Sequence, residues 1–72
     1  MALLDVRPMM AQGGDPIAVI LKMVGDLAPG EELELLAPLD PVPLYHVLDA
    51  QGFTHQTDDI GGGDFRVVFR PA

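Results

Sequence analysis

Hydrophobic residues recur along this chain with two different periods, and the switches between them mark out its elements. In Leu3-Leu4-Asp5-Val6-Arg7 the period is two: Leu4 and Val6 fall on one side, Leu3, Asp5 and Arg7 on the other, as in a short strand. Pro8 has no N–H for a ladder and ends it. Gln12 to Gly14 reads as a flexible loop. The period then lengthens. Ile17, Ile20, Leu21, Val24 and Leu27 form the stripe of a half-buried helix. Asp15 suits its N-cap and Pro16 its first position, where a missing N–H is harmless. This helix should run from Ile17 to near Val24, with Gly25 beginning its end and Pro29-Gly30 as a turn.

Period two returns over Glu32 to Ala37, where Leu33 and Leu35 alternate with Glu32 and Glu34, and Pro38 stops the strand. A second helix over Pro43 to Ala50 carries Leu44, Val47 and Leu48 inward. Asp40 or Pro41-Val42 sits at its cap, and Gly52 follows as the C′ residue. Phe53 to Thr57 is a weak, polar strand. Asp58 to Asp64, with Gly61-Gly62-Gly63 inside, reads as a hairpin loop longer than the common two-residue turn. Phe65 to Arg70 is the clearest strand.

The order is therefore β-α-β-α-β-β. Two helices can cover one face of a four-stranded mixed sheet, which predicts an α/β (α+β) two-layer sandwich. The first two strands should be parallel, joined by a right-handed crossover. The polar third strand suits an edge and the apolar fourth the middle. The open face would carry Arg7, Glu32, Glu34, Arg66 and Arg70 in pairs of opposite sign, with Leu3, Leu36 and Val68 as a modest apolar patch.

Seventy-two residues, 49% of them hydrophobic, make a single domain over 1–72 and argue against disorder. A chain this short buries only about 60–65% of its unfolded surface. It has no cysteine, so neither a disulfide nor a thiolate-held metal can staple it. Packing must hold it, and weak homo-oligomerisation would add burial. Eleven acidic residues against four basic ones give a formal charge of −7. Such a surface repels phosphate backbones and anionic lipid, which excludes nucleic acid and membrane as expected partners. No secretory leader and no long apolar run is evident, so the expected location is cytoplasmic.

The ordered set L4-D5-V6-R7, L27-A28-P29-G30-E31, E32-L33-E34-L35, D40-P41-V42-P43-L44 and G52-F53 with the last hairpin resembles the TusA/SirA-like domain. It is closer still to the uncharacterised bacterial proteins of domain of unknown function 2249. In the sulfur-carrier branch, a Leu-Asp-x-Arg strand leads to a Cys-Pro-x-Pro motif whose cysteine carries a persulfide. The resemblance puts that cysteine at or near Ala11 and the next proline at Gln12. Neither side chain can carry sulfur covalently, and a thioether at Met9 or Met10 forms no stable persulfide. The resemblance thus implies the fold but not sulfur relay. It also implies a setting beside redox or respiratory proteins.

The remaining chemistry is sparse. His46 and His55 lack partners at i+4, so no HxxxH or HExxH motif exists. His46 and Asp49 could share a helical face as a surface pair or as two metal ligands. His55 shares parity with Phe53 and Thr57. Met9 and Met10 suit core gaps or an adaptable contact surface. Gly13-Gly14-Asp15-Pro16 is the best place for a small anion, although Asp15 should occupy the free N–H groups itself. Arg7 should pair with Asp5, Glu34 or a partner carboxylate. Asp5 and Asp40 form no evident catalytic pair, and Tyr45 is expected to pack. No nucleophile–base–acid constellation assembles.

These residues point to a non-enzymatic interaction or regulatory module. It would present Arg7, Met9, Met10, Gln12, Gly13, Gly14 and Asp15 to a protein partner, with no catalytic residue, metal or cofactor. The alternative is a small-ligand or metal/haem carrier using the Met9–Asp15 loop.

Overall fold

A computed structural model describes all 72 residues. The strands are β1 (Ala2–Asp5), β2 (Leu33–Ala37), β3 (Phe53–Gly61) and β4 (Asp64–Pro71); the helices are α1 (Arg7–Ala11), α2 (Pro16–Asp26) and α3 (Val42–Asp49). They form a four-stranded mixed sheet in the order β1-β2-β4-β3, with β1 and β2 parallel and the other pairs antiparallel. The polar strand β3 lies at an edge and β4 in the middle, as their composition requires.

Alternation decides which face is covered. Leu33, Leu35 and Ala37 of β2 and Val67 and Phe69 of β4 are buried together with Ile20 and Val24 of α2 and Leu44 and Leu48 of α3. Val6, just past β1, completes this cluster. The opposite face has no helix. Its charges pair across strands: Arg66 with Glu34 and Asp58, and Arg70 with Glu32 at 3.0 Å. Val68 lies in register with Glu34 and Gln56 and is buried there, so of the three apolar residues on this face only Leu3 is well exposed.

Three local expectations are corrected. There are three helices, not two: the chain turns straight from β1 into α1. β1 stops at Asp5, short of the expected Leu3–Arg7 span, so Arg7 belongs to a helix and not to a strand. Pro8 does not end the strand but occupies the second position of that helix, where a proline is tolerated. Gln12 to Gly14 is not a free loop but the closed end of that helix. Finally, Asp58 to Gly61 continues β3, with an irregularity between Asp59 and Gly61, and Gly61 pairs with Asp64. Only Gly62 and Gly63 remain as the turn. Their φ values of +65° and +84° match a type I′ hairpin, whose twist suits two antiparallel strands.

Candidate functional site

Arg7 opens α1 and is held at both ends of its guanidinium. Its Nε and Nη2 donate to the two carboxylate oxygens of Asp5 at 2.9 and 2.8 Å, and Nη1 donates to Asp64 at 2.9 Å. The Arg7 backbone N–H also donates to Asp5. These bonds hold the Asp5 carboxyl below the usual carboxylate range and push the guanidinium pKa up. Arg7 thus fastens the start of α1 to the first residue of β4, with three of the five guanidinium N–H donors committed to carboxylates of the chain itself.

The next residues close on themselves. Gly13 takes φ +79°, its N–H donates to the Met10 carbonyl at 3.1 Å, and the Gly14 N–H donates to the Met9 carbonyl at 2.9 Å. This pair of bonds is a Schellman motif, which satisfies the last carbonyls of a helix. At Gly14 a Cβ would lie 2.6 Å from Met9 Cγ, so the turn needs a glycine there for closeness rather than for φ. Asp15 then caps α2, accepting from the Ile17 N–H at 3.0 Å. The backbone donors that could have cradled an anion at 13, 14 and 17 are all engaged. Gln12 and Ala11, which the resemblance equates with the Cys-Pro pair, are exposed at the end of α1.

What this closed turn does is wall a cavity. At the carboxyl ends of the parallel strands β1 and β2 lies an opening of about 240 Å³. One side is Val6, Met10, Pro16, Ile17 and Ile20; the other is Leu39, Pro41, Pro43 and Leu44; Leu35 and Ala37 form its floor. Every wall is hydrocarbon or thioether. The space has a plain origin. Ala37 contributes only a methyl where β2 ends, and three prolines supply rigid walls that cannot collapse inward. Water gains no hydrogen bond inside. Leu39, at 45% exposed, and Val42, at 48%, remain open to solvent close by. Of the two methionines, Met10 lines this space and packs against the core, whereas Met9 braces Gly14.

A second grouping was missed by sequence reasoning. Tyr45 and His55 stack face to face, their ring centroids 3.8 Å apart and their planes nearly parallel. The Tyr45 hydroxyl donates to Asp40 at 2.5 Å and bonds the Thr57 hydroxyl. Burial, and then Asp40, raise the Tyr45 pKa. This latch ties the Pro38–Pro41 segment, α3 and β3 together, and so fixes one wall of the cavity. The only available signal was the period-two parity of His55 and Thr57, which could not say that Tyr45 would lie across from them. His46 is exposed on α3 and takes no part in the stack. Nowhere do three His, Asp or Glu side chains converge as metal ligands would, and no helix is long and apolar enough to cross a membrane.

The model of one family, described as uncharacterized conserved protein (DUF2249), matches residues 3–71. No curated protein and no solved structure matches the chain.

Proposed function

We propose that this chain, which belongs to the DUF2249 family, is a non-enzymatic interaction module that seats an apolar side chain of a protein partner in the cavity between α1, α2 and the Leu39–Leu44 segment. The observation that carries this reading is the cavity itself. It is open, wholly apolar and held apart by rigid residues, and no general acid, base or nucleophile lines it. Catalysis needs polar groups aimed at a reacting atom. Binding an apolar anchor needs only a dry, preformed hole.

Size supports the same choice. Pockets for whole small ligands run to roughly 300–1,000 Å³; this one is about 240 Å³, enough for a large side chain. Arg7, Gln12, Gly13, Gly14 and Asp15 then act by holding the rim in one shape, while Met10 and its mobile thioether adapt the wall. The resemblance to the TusA/SirA-like domain adds a redox or respiratory setting for the partner, with docking retained and sulfur chemistry gone.

The test is photo-crosslinking in the native host, with a photoreactive residue at Leu39 or, as a control, at Val19 on α2. Leu39 should give a discrete protein adduct that disappears when Ala37→Leu fills the floor of the cavity. Adducts only to a small apolar molecule would replace this reading with the carrier. Equal labelling from both positions would refute it.

A further inference from the structure

The ionic contacts say what kind of segment the cavity fits. All four basic side chains are engaged elsewhere: Arg7 with Asp5 and Asp64, Lys22 with Asp26, Arg66 with Glu34 and Asp58, Arg70 with Glu32. The amino terminus faces Glu31. That leaves Asp15, Asp40, Asp49 and Asp59 without a cation. Two of these four flank the cavity on opposite walls. Asp15 immediately precedes the lining residue Pro16, and Asp40 lies between the lining residues Leu39 and Pro41. Both are exposed, and both are fixed in place by hydrogen bonds, Asp15 to the Ile17 N–H and Asp40 to the Tyr45 hydroxyl. No basic residue stands among the lining residues.

An apolar hole between two fixed carboxylates that no cationic side chain pairs, on a chain of net charge −7, is complementary to one chemistry. We infer that the partner contributes a basic segment in which one large aliphatic or aromatic side chain enters the cavity and flanking Lys or Arg residues face Asp15 and Asp40. This rests on the interaction-module reading and specifies its partner. A second copy of the chain is a poor occupant, because two surfaces of charge −7 repel. An acidic or phosphorylated segment meets the same repulsion at the rim. The rim charges contribute selectivity and encounter rate, while the apolar anchor supplies most of the holding.

The experiment is selection of random displayed peptides on the immobilised full chain, followed by affinity measurement of the selected peptides on variants. Asp15→Asn and Asp40→Asn keep the capping and Tyr45 hydrogen bonds, since an amide oxygen still accepts, and remove only charge. Asp49→Asn, on the exposed side of α3, changes net charge equally and serves as the control. Leu39→Ser alters the exposed rim without touching the core, and Ala37→Leu fills the floor; if the latter fails to fold, the former decides.

The expected result is enrichment of peptides with one large apolar residue between basic ones. Leu39→Ser or Ala37→Leu should abolish their binding. Asp15→Asn and Asp40→Asn should each weaken it about 2–5-fold, with Asp49→Asn near unchanged. The differences should shrink between about 0.1 and 1 M salt, as the screening length falls from roughly 10 to 3 Å. Cavity-dependent peptides with neutral or acidic flanks, or equal weakening by all three Asn variants, would overturn the inference and leave the interaction module standing. No enrichment, or binding indifferent to the cavity variants, would overturn both.

Discussion

Gly14 offers a quantitative test of the closed turn that walls the cavity. Its φ is not in the left-handed region, so alanine is allowed by the backbone; the obstacle is Met9. A Cβ at 14 would stand 2.6 Å from Met9 Cγ and 3.2 Å from the Met9 carbonyl oxygen, against ordinary contacts of 3.4–4 Å. Met9 Cγ is near the root of its side chain and cannot move without shifting the whole side chain. Overpacking of this kind costs about 1–3 kcal/mol, offset by roughly 0.4–1 kcal/mol from restricting the unfolded chain. At the middle of these ranges Gly14→Ala should lose about 1–2 kcal/mol. For a domain of this size that is a fall in Tm of about 4–16 °C.

In a Met9→Ala background the obstructing Cγ is gone; the 3.2 Å approach to the residue-9 carbonyl oxygen remains but is offset by the gain from the restricted unfolded chain, so Gly14→Ala should then be neutral to within about 0.5 kcal/mol. Thermal and urea melts of the four proteins close the cycle. Gly13→Ala is the contrast. Nothing lies within 4 Å of its Cβ, but its positive φ should cost about 1–2 kcal/mol in either background, with no coupling to Met9. If Gly14→Ala cost the same with and without the Met9 side chain, the turn would not be built as described.

Other perturbations probe the rest of the molecule. Ile20→Asp should unfold the domain and Phe65→Asp should destabilise it less, because Ile20 is buried whereas Phe65 is only partly so; wild-type melting of Ile20→Asp would refute the packing of α2 on the sheet. Tyr45→Phe removes the hydroxyl that joins Asp40 to Thr57 and should cost about 0.5–1.5 kcal/mol. Because the folded state raises the Tyr45 pKa, its stabilisation is whole below the unfolded value near 10 and fades as pH climbs through the folded one; the gap to Tyr45→Phe should close in alkaline melts, and a constant gap would refute the latch. At the type I′ turn, Gly62→Asn should be nearly neutral and Gly62→Val clearly destabilising, since asparagine tolerates φ +65° and a β-branched residue does not; equal stability by urea melting would refute the turn.

Much of this was legible in the residues themselves. The helix expected from Ile17 to near Val24 needed only 3.6-residue periodicity, and Asp15-Pro16 needed only local hydrogen bonding to start it; it runs past Gly25 to Asp26. Strand alternation named the core face of β2 and β4, and the polarity of β3 sent it to an edge. Each depends on contacts within a few positions, or on a single choice between water and core. The hairpin escaped because Asp58 and Asp59 and the glycines after Ile60 look like loop residues one at a time; pairing with β4 recruits Asp58 to Gly61 into the ladder, and Gly62 and Gly63 then need only close a two-residue turn. Helix α1 escaped because five residues between a strand and a glycine pair carry too little pattern to outweigh Pro8.

The sequence by itself determined the fold class, the covered face and the absence of any thiol chemistry, because periodicity and residue type are local properties. Only the tertiary structure decided the cavity, the Tyr45–His55 latch and the engagement of every cation. Those depend on residues far apart in the chain, such as Met10 and Leu39 across the cavity, Tyr45 with Thr57 and Arg7 with Asp64, being brought together in a way that no local pattern encodes.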